Sequence, residues 1–290
     1  MAKNILITGA NGQLGNEMRR ILENNSIFNT YFTDVAELDI TNLDAVTKYV
    51  TDNQINIIIN CAAYTAVDLA EENEELCNKI NNTAVENLAK AAKAKCAKVI
   101  HVSTDYVFDG TSCVPYTEEN QTCPKSIYGN TKLAGELSLA SILPDAHIII
   151  RTAWLYSAHG KNFVKTMINL GKTKDSLNVV ADQVGTPTYA RDLADAIYTI
   201  INSENWTSGI YHYSNEGVCS WYDFTKMIHR CANITTCNVS PITSAEYPAK
   251  AARPAYSVLD KNKIKRTFNI TIPYWIDSLE KCISELEINQ

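Results

Sequence analysis

Short apolar runs alternate with longer segments of helical periodicity through the first half of this chain. The runs are rich in β-branched residues and lie at 5–7, 30–32, 57–59, 99–102 and 148–150. Segments with apolar residues at helical spacing lie between them, near 13–24, 42–53, 81–95 and 128–141. Because strands without polar positions are typical of sheets covered on both faces, the alternation predicts an α/β fold with a doubly wound, parallel, Rossmann-type sheet.

The pattern changes after about residue 150, where Pro, Tyr and Trp become more frequent and helical segments lie near 161–172, 190–202 and 220–231. We expect a dinucleotide-binding domain over 1–150. A smaller substrate-binding region over 151–290 would close over the carboxyl edge of the sheet, with segments returning to that sheet. The stretch 105–127 has the least periodicity, and loops of that length are usually functional.

Composition narrows the class of partner. The 290 residues carry a net charge of −6, which argues against nucleic acid or an anionic membrane surface as the main partner. No apolar run is long enough to span a membrane, and the run after Lys3 is too short for a signal-peptide core, so we expect a cytoplasmic protein. The nine cysteines include no CxxC pair, which favours neither a disulfide framework nor a zinc site.

A glycine-rich turn follows the first run. Gly9, Gly12 and Gly15 form a GxxGxxG between a predicted strand and a predicted helix, where backbone N–H groups and the helix N-terminus can approach a pyrophosphate. Asp34, at the end of the second predicted strand, could bind a ribose 2′-hydroxyl or be an ordinary loop carboxylate. Because no Lys or Arg lies between Asp34 and Thr41, we expect NADH to be used at least as well as NADPH.

Two YxxxK pairs occur, Tyr128 with Lys132 and Tyr222 with Lys226. At this spacing both side chains share one face of a helix. Only the first pair follows a hydroxyl and carboxyl cluster, Ser103-Thr104-Asp105, at the end of a predicted strand. Tyr128 and Lys132 are therefore the candidate catalytic pair, and Tyr222 with Lys226 is expected on an ordinary helix face.

The chemistry of ketone reduction suits this pair. A carbonyl that accepts a hydride needs a proton, and the pKa of free tyrosine is near 10. Lowering it to about 7 requires about 4 kcal/mol, which is what one ammonium at ~4 Å supplies at an effective dielectric of 20. Thr104 could polarise the same oxygen. Lys132 could also bind the nicotinamide ribose.

Several segments together resemble the dTDP-4-dehydrorhamnose reductases, a family of the extended short-chain dehydrogenase/reductases. They are 60–68 (NCAAYTAVD), 103–110 (STDYVFDG), 128–136 (YGNTKLAGE), Asp182-Gln183 with Gly185, Pro187 and Thr188, and Arg253-Pro254. The likeness spans about 9–260. It implies that a nucleotide-diphosphate sugar, dTDP-4-dehydro-L-rhamnose, is reduced at its 4-keto group by NADH or NADPH. We expect a monomer or a homodimer.

The resemblance also implies residue roles. Tyr128 would be the proton donor, with Lys132 and Thr104 as its modulators. Asp105 and Trp154 would contact the hexose, and Arg253 could pair with the diphosphate. Positions that match cofactor-lining residues are Gly12, Gln13, Leu14, Asp39, Ile40, Ala63, Tyr64, Thr65 and Val102. Taken alone, Trp154 fits core packing, Asp39 fits helix capping and Arg253 fits an ordinary surface arginine equally well.

A metal is not expected. Some members of the family are reported to bridge dimers through a metal held by glutamates. Glu17 fits that pattern, but Arg191 stands where a second acid would be expected.

Two other functions remain open at this point. A 4,6-dehydratase or epimerase of the same superfamily would need further features: dehydratases commonly use an Asp-Glu pair, whereas Asp105 is followed by Tyr106. An epimerase would retain NAD tightly. A non-catalytic dinucleotide-binding regulator would not need Thr104, Tyr128 and Lys132 together.

Overall fold

The computed structural model describes residues 2–23 and 25–288. Its central sheet has six parallel strands in the order β2-β1-β3-β4-β5-β10. Their bounds are β1 Lys3–Thr8, β2 Phe28–Thr33, β3 Ile57–Asn60, β4 Lys98–Thr104, β5 His147–Thr152 and β10 Gly209–His212. The predicted doubly wound parallel sheet is confirmed. Its strand order reverses between β1 and β3, and such a point opens a crevice at the carboxyl edge.

Helices cover both faces of the sheet. One face carries α1 (Gln13–Leu22) and α8 (Ala190–Asn202), and the other carries α2 (Leu43–Asp52), α5 (Ala84–Ala94) and α6 (Ile127–Ile142). Alternation within β1 shows why: Ile5 and Ile7 pack under α1 and α8, and Leu6 packs under the helices of the opposite face. Asn42 caps α2 by accepting a hydrogen bond from the Ala45 N–H (3.1 Å). Helix α1 ends two residues before its predicted limit, Asn24, which lies outside the described residues.

The segment between β3 and α5 departs from expectation. It contains two short helices, α3 (Val67–Ala70) and α4 (Glu74–Asn78), and then a π-helical turn, Lys79–Thr83. A single helix from about residue 81 was predicted. The π turn places Asn81 beside the loop after β3, where its side chain accepts from the Tyr64 N–H and donates to the Tyr64 carbonyl.

A second hydrophobic core lies beyond residue 150. It packs α7 (Phe163–Thr173), α9 (Trp221–Cys231) and α11 (Trp275–Ile288) together. Three two-stranded sheets accompany these helices: β6 Leu155–Tyr156 with β9 Thr188–Tyr189, β7 Ser176–Val180 with β12 Asn238–Ile242, and β8 Val184–Gly185 with β11 Cys219–Ser220. Helix α8 and strand β10 also lie beyond residue 150 but pack in the central sheet, where α10 (Asn262–Phe268) covers β10.

Residues 105–127, all of them described, contain only a 3-10 turn, Asp105–Val107, and an isolated bridge from Tyr116 to Leu259 before α6 begins. The long loop expected from the sequence is therefore present. Among the described residues, no helix combines the length and the apolar character that crossing a bilayer requires.

Candidate active site

The glycine turn is built for close backbone approach. Gly9 has φ +64°, and a β-carbon there would lie 2.7 Å from the Ala62 Cα. A β-carbon at Gly15 would lie 2.3 Å from the Gly9 carbonyl oxygen. Gly12 is the N-cap of α1 and supplies no side-chain cap, so N–H groups of the first turn remain available to an anion. These features fit the pyrophosphate of a dinucleotide.

A cleft of about 450 Å³ opens beside this turn, at the reversal point of the sheet. It brings together the expected cofactor positions Gly9, Gly12, Asp34, Asp39, Ile40 and Ala63. The Asp34 carboxylate accepts hydrogen bonds from the N–H groups of Asn11 (3.0 Å) and Val35 (2.8 Å). Asp34 is thus fixed at the rim of the cleft by the glycine turn itself.

Asp39 holds the turn that precedes α2. Its Oδ1 accepts from the Thr41 N–H (2.9 Å) and the Thr41 hydroxyl (2.7 Å). These bonds lower the pKa of the carboxyl below its ordinary value, and the charge of Lys79 lowers it further. Asp39 does not cap α2, because Asn42 does. The helix-capping interpretation of Asp39 is therefore wrong.

Lys79 also lines this cleft, and sequence reasoning missed it. It starts the π-helical turn and lies 45 positions after Asp34 (79 − 34), so no local spacing connects the two residues. The stretch from Asp34 to Thr41 has no Lys or Arg of its own. The fold therefore supplies one from another element.

The other expected cofactor positions have mixed environments. The Gln13 Oε1 accepts from the Asn162 side chain (3.0 Å), and Leu14 is buried in the core between α1 and the sheet. Tyr64 is held through its backbone by Asn81, and Thr65 is exposed. The Val102 carbonyl accepts from the Lys132 Nζ (2.7 Å).

Tyr128 is positioned by a contact between α6 and the turn after β4. The Ser126 hydroxyl caps α6 by accepting from the Gly129 N–H (3.1 Å), which places Tyr128 in the first turn. A β-carbon at Gly129 would lie 2.3 Å from the Tyr106 carbonyl oxygen. The Tyr128 ring meets the Tyr106 ring edge to face, with centroids 5.4 Å apart.

Thr104, Tyr128 and Lys132 come together at the carboxyl end of β4. Burial raises the pKa of Tyr128 above its ordinary value, and a hydrogen bond with the Thr104 hydroxyl opposes that rise. The expectation that an adjacent ammonium lowers the pKa of Tyr128 is not met. The Lys132 amine is instead directed at the Val102 carbonyl and at the His101 Nε2 (3.2 Å).

Lys132 is itself perturbed. Its side chain is buried, which lowers the pKa of its amine to about 8, while the charge of Glu136 one helical turn later opposes this shift. Glu136 is paired with buried Arg151, whose Nη2 lies 2.6 Å from the Glu136 Oε2. An amine that titrates this close to neutral pH is suited to a site that handles protons.

Asp105 is buried beside the catalytic trio. Burial raises the pKa of its carboxyl to about 6, although hydrogen bonds from the Thr104 and Ser257 hydroxyls oppose the shift. The Thr104 hydroxyl donates to the Asp105 Oδ1 at 2.9 Å. Sequence reasoning missed Ser257, which reaches the site from the far end of the chain.

Trp154 packs against Trp221 and Gly185. Its ring stacks on Trp221 with centroids 3.5 Å apart, and a β-carbon at Gly185 would lie 2.8 Å from the Trp154 indole. The packing interpretation is therefore supported, and contact with a sugar stays a prediction. Trp154 also has φ +50°, an uncommon conformation for a bulky residue.

Arg253 is neither isolated nor freely exposed. Its Nη2 donates to the Asp68 carboxylate of α3 (2.8 Å). It also lines a cavity of about 180 Å³ together with Trp221, Phe163 and Tyr247.

Glu17 and Arg191 do not form a cation site. The buried Glu17 carboxylate accepts from the Ser157 hydroxyl (2.9 Å) and from Arg20 (3.0 Å), and Arg20 also pairs with Glu285 (2.8 Å). Arg191 pairs with Asp195. Within 2–23 and 25–288, no three His, Cys, Asp or Glu side chains are grouped as metal ligands. The Arg20 guanidinium pairs with both the Glu17 and the Glu285 carboxylates, so these two carboxylates do not fit a bridging metal.

The second YxxxK pair lies on α9. Tyr222 packs against the second core, and the exposed Lys226 lines a separate cleft with Arg230 and Trp275. That cleft does not include the glycine turn or the end of β4.

Comparison with known proteins agrees with this geometry. The family model described as the RmlD substrate binding domain matches residues 3–288. A dTDP-4-dehydrorhamnose reductase from Aggregatibacter actinomycetemcomitans is 42% identical over 95% of this chain and 97% of its own length. The chain belongs to the dTDP-4-dehydrorhamnose reductase family.

Solved structures of the family have the same fold. A reductase ortholog from Clostridium acetobutylicum has a TM-score of 0.93 and 47% identity, covering 98% of this chain and 99% of that one. A reductase from Bacillus anthracis, solved in complex with NADP, has a TM-score of 0.94 and 42% identity, covering 98% of this chain and 100% of that one. Family membership confirms the expected class, an NAD(P)H-dependent oxidoreductase.

Proposed function

We propose that this reductase converts dTDP-4-dehydro-L-rhamnose to dTDP-L-rhamnose with NADH or NADPH. The observation that carries the proposal is the convergence of Thr104, Tyr128 and Lys132 at the end of β4, on the same carboxyl edge of the sheet as the glycine turn that follows β1. When bound, the nicotinamide supplies a hydride to C4 of the sugar. The residues of this chain then have to deliver one proton to O4.

Tyr128 is the group that supplies this proton. Its phenol stays protonated in the ligand-free site because burial raises its pKa, so the donor already holds its proton before the substrate binds. The Thr104 hydroxyl bonds to Tyr128 and to Asp105, and it can turn toward the substrate oxygen. Transfer of the proton as the oxygen gains negative charge stabilises the transition state.

Lys132 stabilises the phenolate that remains. An ammonium near a newly formed anion in a buried site lowers its free energy. The amine is anchored to the Val102 carbonyl at the strand end, so its position is fixed before the substrate binds. The same anchored amine is suited to bind the hydroxyls of a ribose.

Recognition of the nucleotide sugar would rest on the second core. Arg253 can exchange the Asp68 carboxylate for the diphosphate, because a guanidinium binds either anion in a bidentate way. The adjoining cavity, with Trp221 and Phe163 in its wall, offers aromatic surface to a base. Asp105 and Trp154 would contact the hexose. We further propose that the enzyme acts in the cytoplasm as a monomer or homodimer.

The test uses the purified chain with NADH or NADPH and the dTDP-keto-sugar. Nicotinamide absorbance should fall in proportion to sugar, and the product should carry a hydroxyl at C4 in the L-rhamno configuration. Turnover without added reductant, or tightly retained NAD in the purified protein, would contradict the proposal and favour an epimerase or a dehydratase.

A further inference from the structure

A line of buried polar groups crosses the carboxyl edge of the sheet below the active site. It runs from Lys132 on α6 through His101 on β4 and Asn60 on β3 to Thr8 on β1. The Lys132 Nζ lies 3.2 Å from the His101 Nε2, and the His101 Nδ1 lies 3.0 Å from the Asn60 side-chain nitrogen. All four side chains are buried, and the fourth, Thr8, lines the cofactor cleft.

Hydrogen-bond donors fix the orientation of Asn60. Its Oδ1 accepts from the Thr8 hydroxyl (2.7 Å) and from the backbone N–H of Ala62 (3.1 Å). Ala62 can only donate, so the amide oxygen must face it. The amide nitrogen of Asn60 consequently faces His101 and donates to its Nδ1.

This orientation selects a tautomer of His101. The imidazole is neutral, because burial and the charge of Lys132 hold its pKa well below the ordinary value. A neutral ring whose Nδ1 accepts carries its hydrogen on Nε2, the atom that faces Lys132. An Nε2–H can bond to Lys132 only when the amine is neutral and offers its lone pair.

The charged amine requires the opposite arrangement. An ammonium donates to Nε2, so the ring hydrogen must move to Nδ1 and Asn60 must turn its oxygen toward the ring. The amide nitrogen of Asn60 would then face the Ala62 N–H, and two donors would meet in a buried place. The backbone at Ala62 therefore opposes the charge on Lys132.

Other charged or titratable groups near Lys132 also influence the charge of its amine, but they do not set the tautomer of His101. Glu136 lies on the same helix, but its carboxylate is shared with Arg151. The Cys77 thiol of α4 bonds to Thr131 and Asn81. Tyr128 lies one helical turn before Lys132. None of these groups contacts the imidazole in the way that Lys132 and Asn60 do.

We propose that His101 is a positioning residue whose tautomer, set by Asn60, controls the charge of the Lys132 amine. The inference deepens the proposed function, since Lys132 is the cation that the phenolate needs. Burial already lowers the pKa of the Lys132 amine, and the tautomer of His101 is a second control on its charge. Through Asn60, this charge is also linked to the loop after β3, whose residues line the cofactor cleft.

The test is nitrogen-15 NMR of the histidine side chains in the ligand-free protein across the alkaline pH range. In the wild type, His101 should change from the Nδ1–H to the Nε2–H tautomer as Lys132 loses its proton, with a midpoint at about pH 8. Loss of one signal set in His101→Phe assigns the resonances. His147, with Nδ1 at 2.6 Å from the Leu143 carbonyl, and His229, with Nε2 at 3.0 Å from the Met167 carbonyl, are internal references for the two tautomers.

Two variants should move His101 in opposite directions. Asn60→Asp offers an oxygen to each neighbour, so His101 should stay in the Nδ1–H form throughout, and the pH profile of kcat should shift to higher pH by one unit or more. Lys132→Met should hold the Nε2–H form at every pH. If Asn60→Asp does not fold, Thr8→Val removes one donor to Asn60 and should raise the midpoint by a smaller amount.

A single tautomer of wild-type His101 across the whole range would overturn the proposal. So would a tautomer change that persists in Lys132→Met. Because these spectra are recorded without substrate or nucleotide, they decide the role of His101 even if the enzyme proves to act on a different sugar.

Discussion

The carbonyl oxygen of Tyr106 occupies the space that a β-carbon at position 129 would need. The two would be 2.3 Å apart, so α6 and the turn after β4 can meet only over a glycine. Tyr128 is the neighbour of that glycine, and Thr104 ends the strand that leads into the turn. The distance between the proton donor and its hydroxyl partner therefore depends on one missing methyl group.

We expect Gly129→Ala to lower kcat by about 100-fold, because small displacements of catalytic groups have effects of this size. Cofactor affinity, measured by fluorescence titration with NADH, should change much less, since the glycine turn at Gly9 is untouched. Leu137→Ala is the control, because Leu137 is on the exposed side of the same helix. A Gly129→Ala enzyme with normal kcat would show that this contact does not position Tyr128.

Removal of the phenol hydroxyl should abolish the chemical step. Tyr128→Phe is expected to lower kcat by about 10³-fold, while the Kd for NADH changes little, because only a transition-state interaction is lost. Lys132→Met should weaken both kcat and cofactor binding. Tyr222→Phe, in the other YxxxK pair, is the matched control and should keep its rate. The reverse pattern would transfer the catalytic role to α9.

Local sequence patterns predicted the parts of this site that local geometry builds. The turn at Gly9 and the strand end at Thr104 depend on neighbouring residues, so spacing and residue type were enough. The α-helical part of α5 begins at Ala84 and not near residue 81, because 79–83 form a π turn in which Asn81 bonds to Tyr64. Helical periodicity does not register such a tertiary constraint.

Residues that reach the site from distant segments could not be predicted in this way. Ser257 approaches Asp105, and Trp221 covers Trp154, across long separations in the chain. His101 was visible only as part of a buried strand, and its partners Lys132 and Asn60 come from two other elements. Only the packed structure brings these groups together.

The buried carboxyl of Asp105 should reduce stability at neutral pH. Its folded-state pKa is raised to about 6, above the unfolded value near 3.9, so the favourable contribution is present at low pH and is lost as pH rises through about 6. At pH 7, Asp105→Asn should raise the free energy of unfolding by as much as about 3 kcal/mol and lower the rate of reduction. Urea denaturation at pH 5 and pH 7 measures the difference.

Asp182 provides a control of opposite sign. Hydrogen bonds from Ser244 lower the pKa of its carboxyl, so its contribution is present above the unfolded pKa and is lost as pH falls through the folded value. Asp182→Asn should therefore reduce stability at pH 7. If Asp105→Asn also reduced it there, burial would not dominate the titration of Asp105.

The cation at Lys79 should influence the choice between NADPH and NADH. It is the positive side chain that lines the cleft with Asp34 and Asp39, and a 2′-phosphate placed there would add negative charge beside two carboxylates. Lys79→Ala should lower kcat/KM for NADPH by about 5- to 10-fold more than for NADH, a difference of about 1 kcal/mol for a solvent-exposed pair. The effect should shrink at high ionic strength, because salt screens exposed charges.

Lys90→Ala is the control, since Lys90 lies on α5 paired with Glu86 and outside the cleft. Equal losses for the two nucleotides in Lys79→Ala would mean that the cation serves the shared part of the cofactor instead, and that Asp34 faces the 2′-position without a counter-charge.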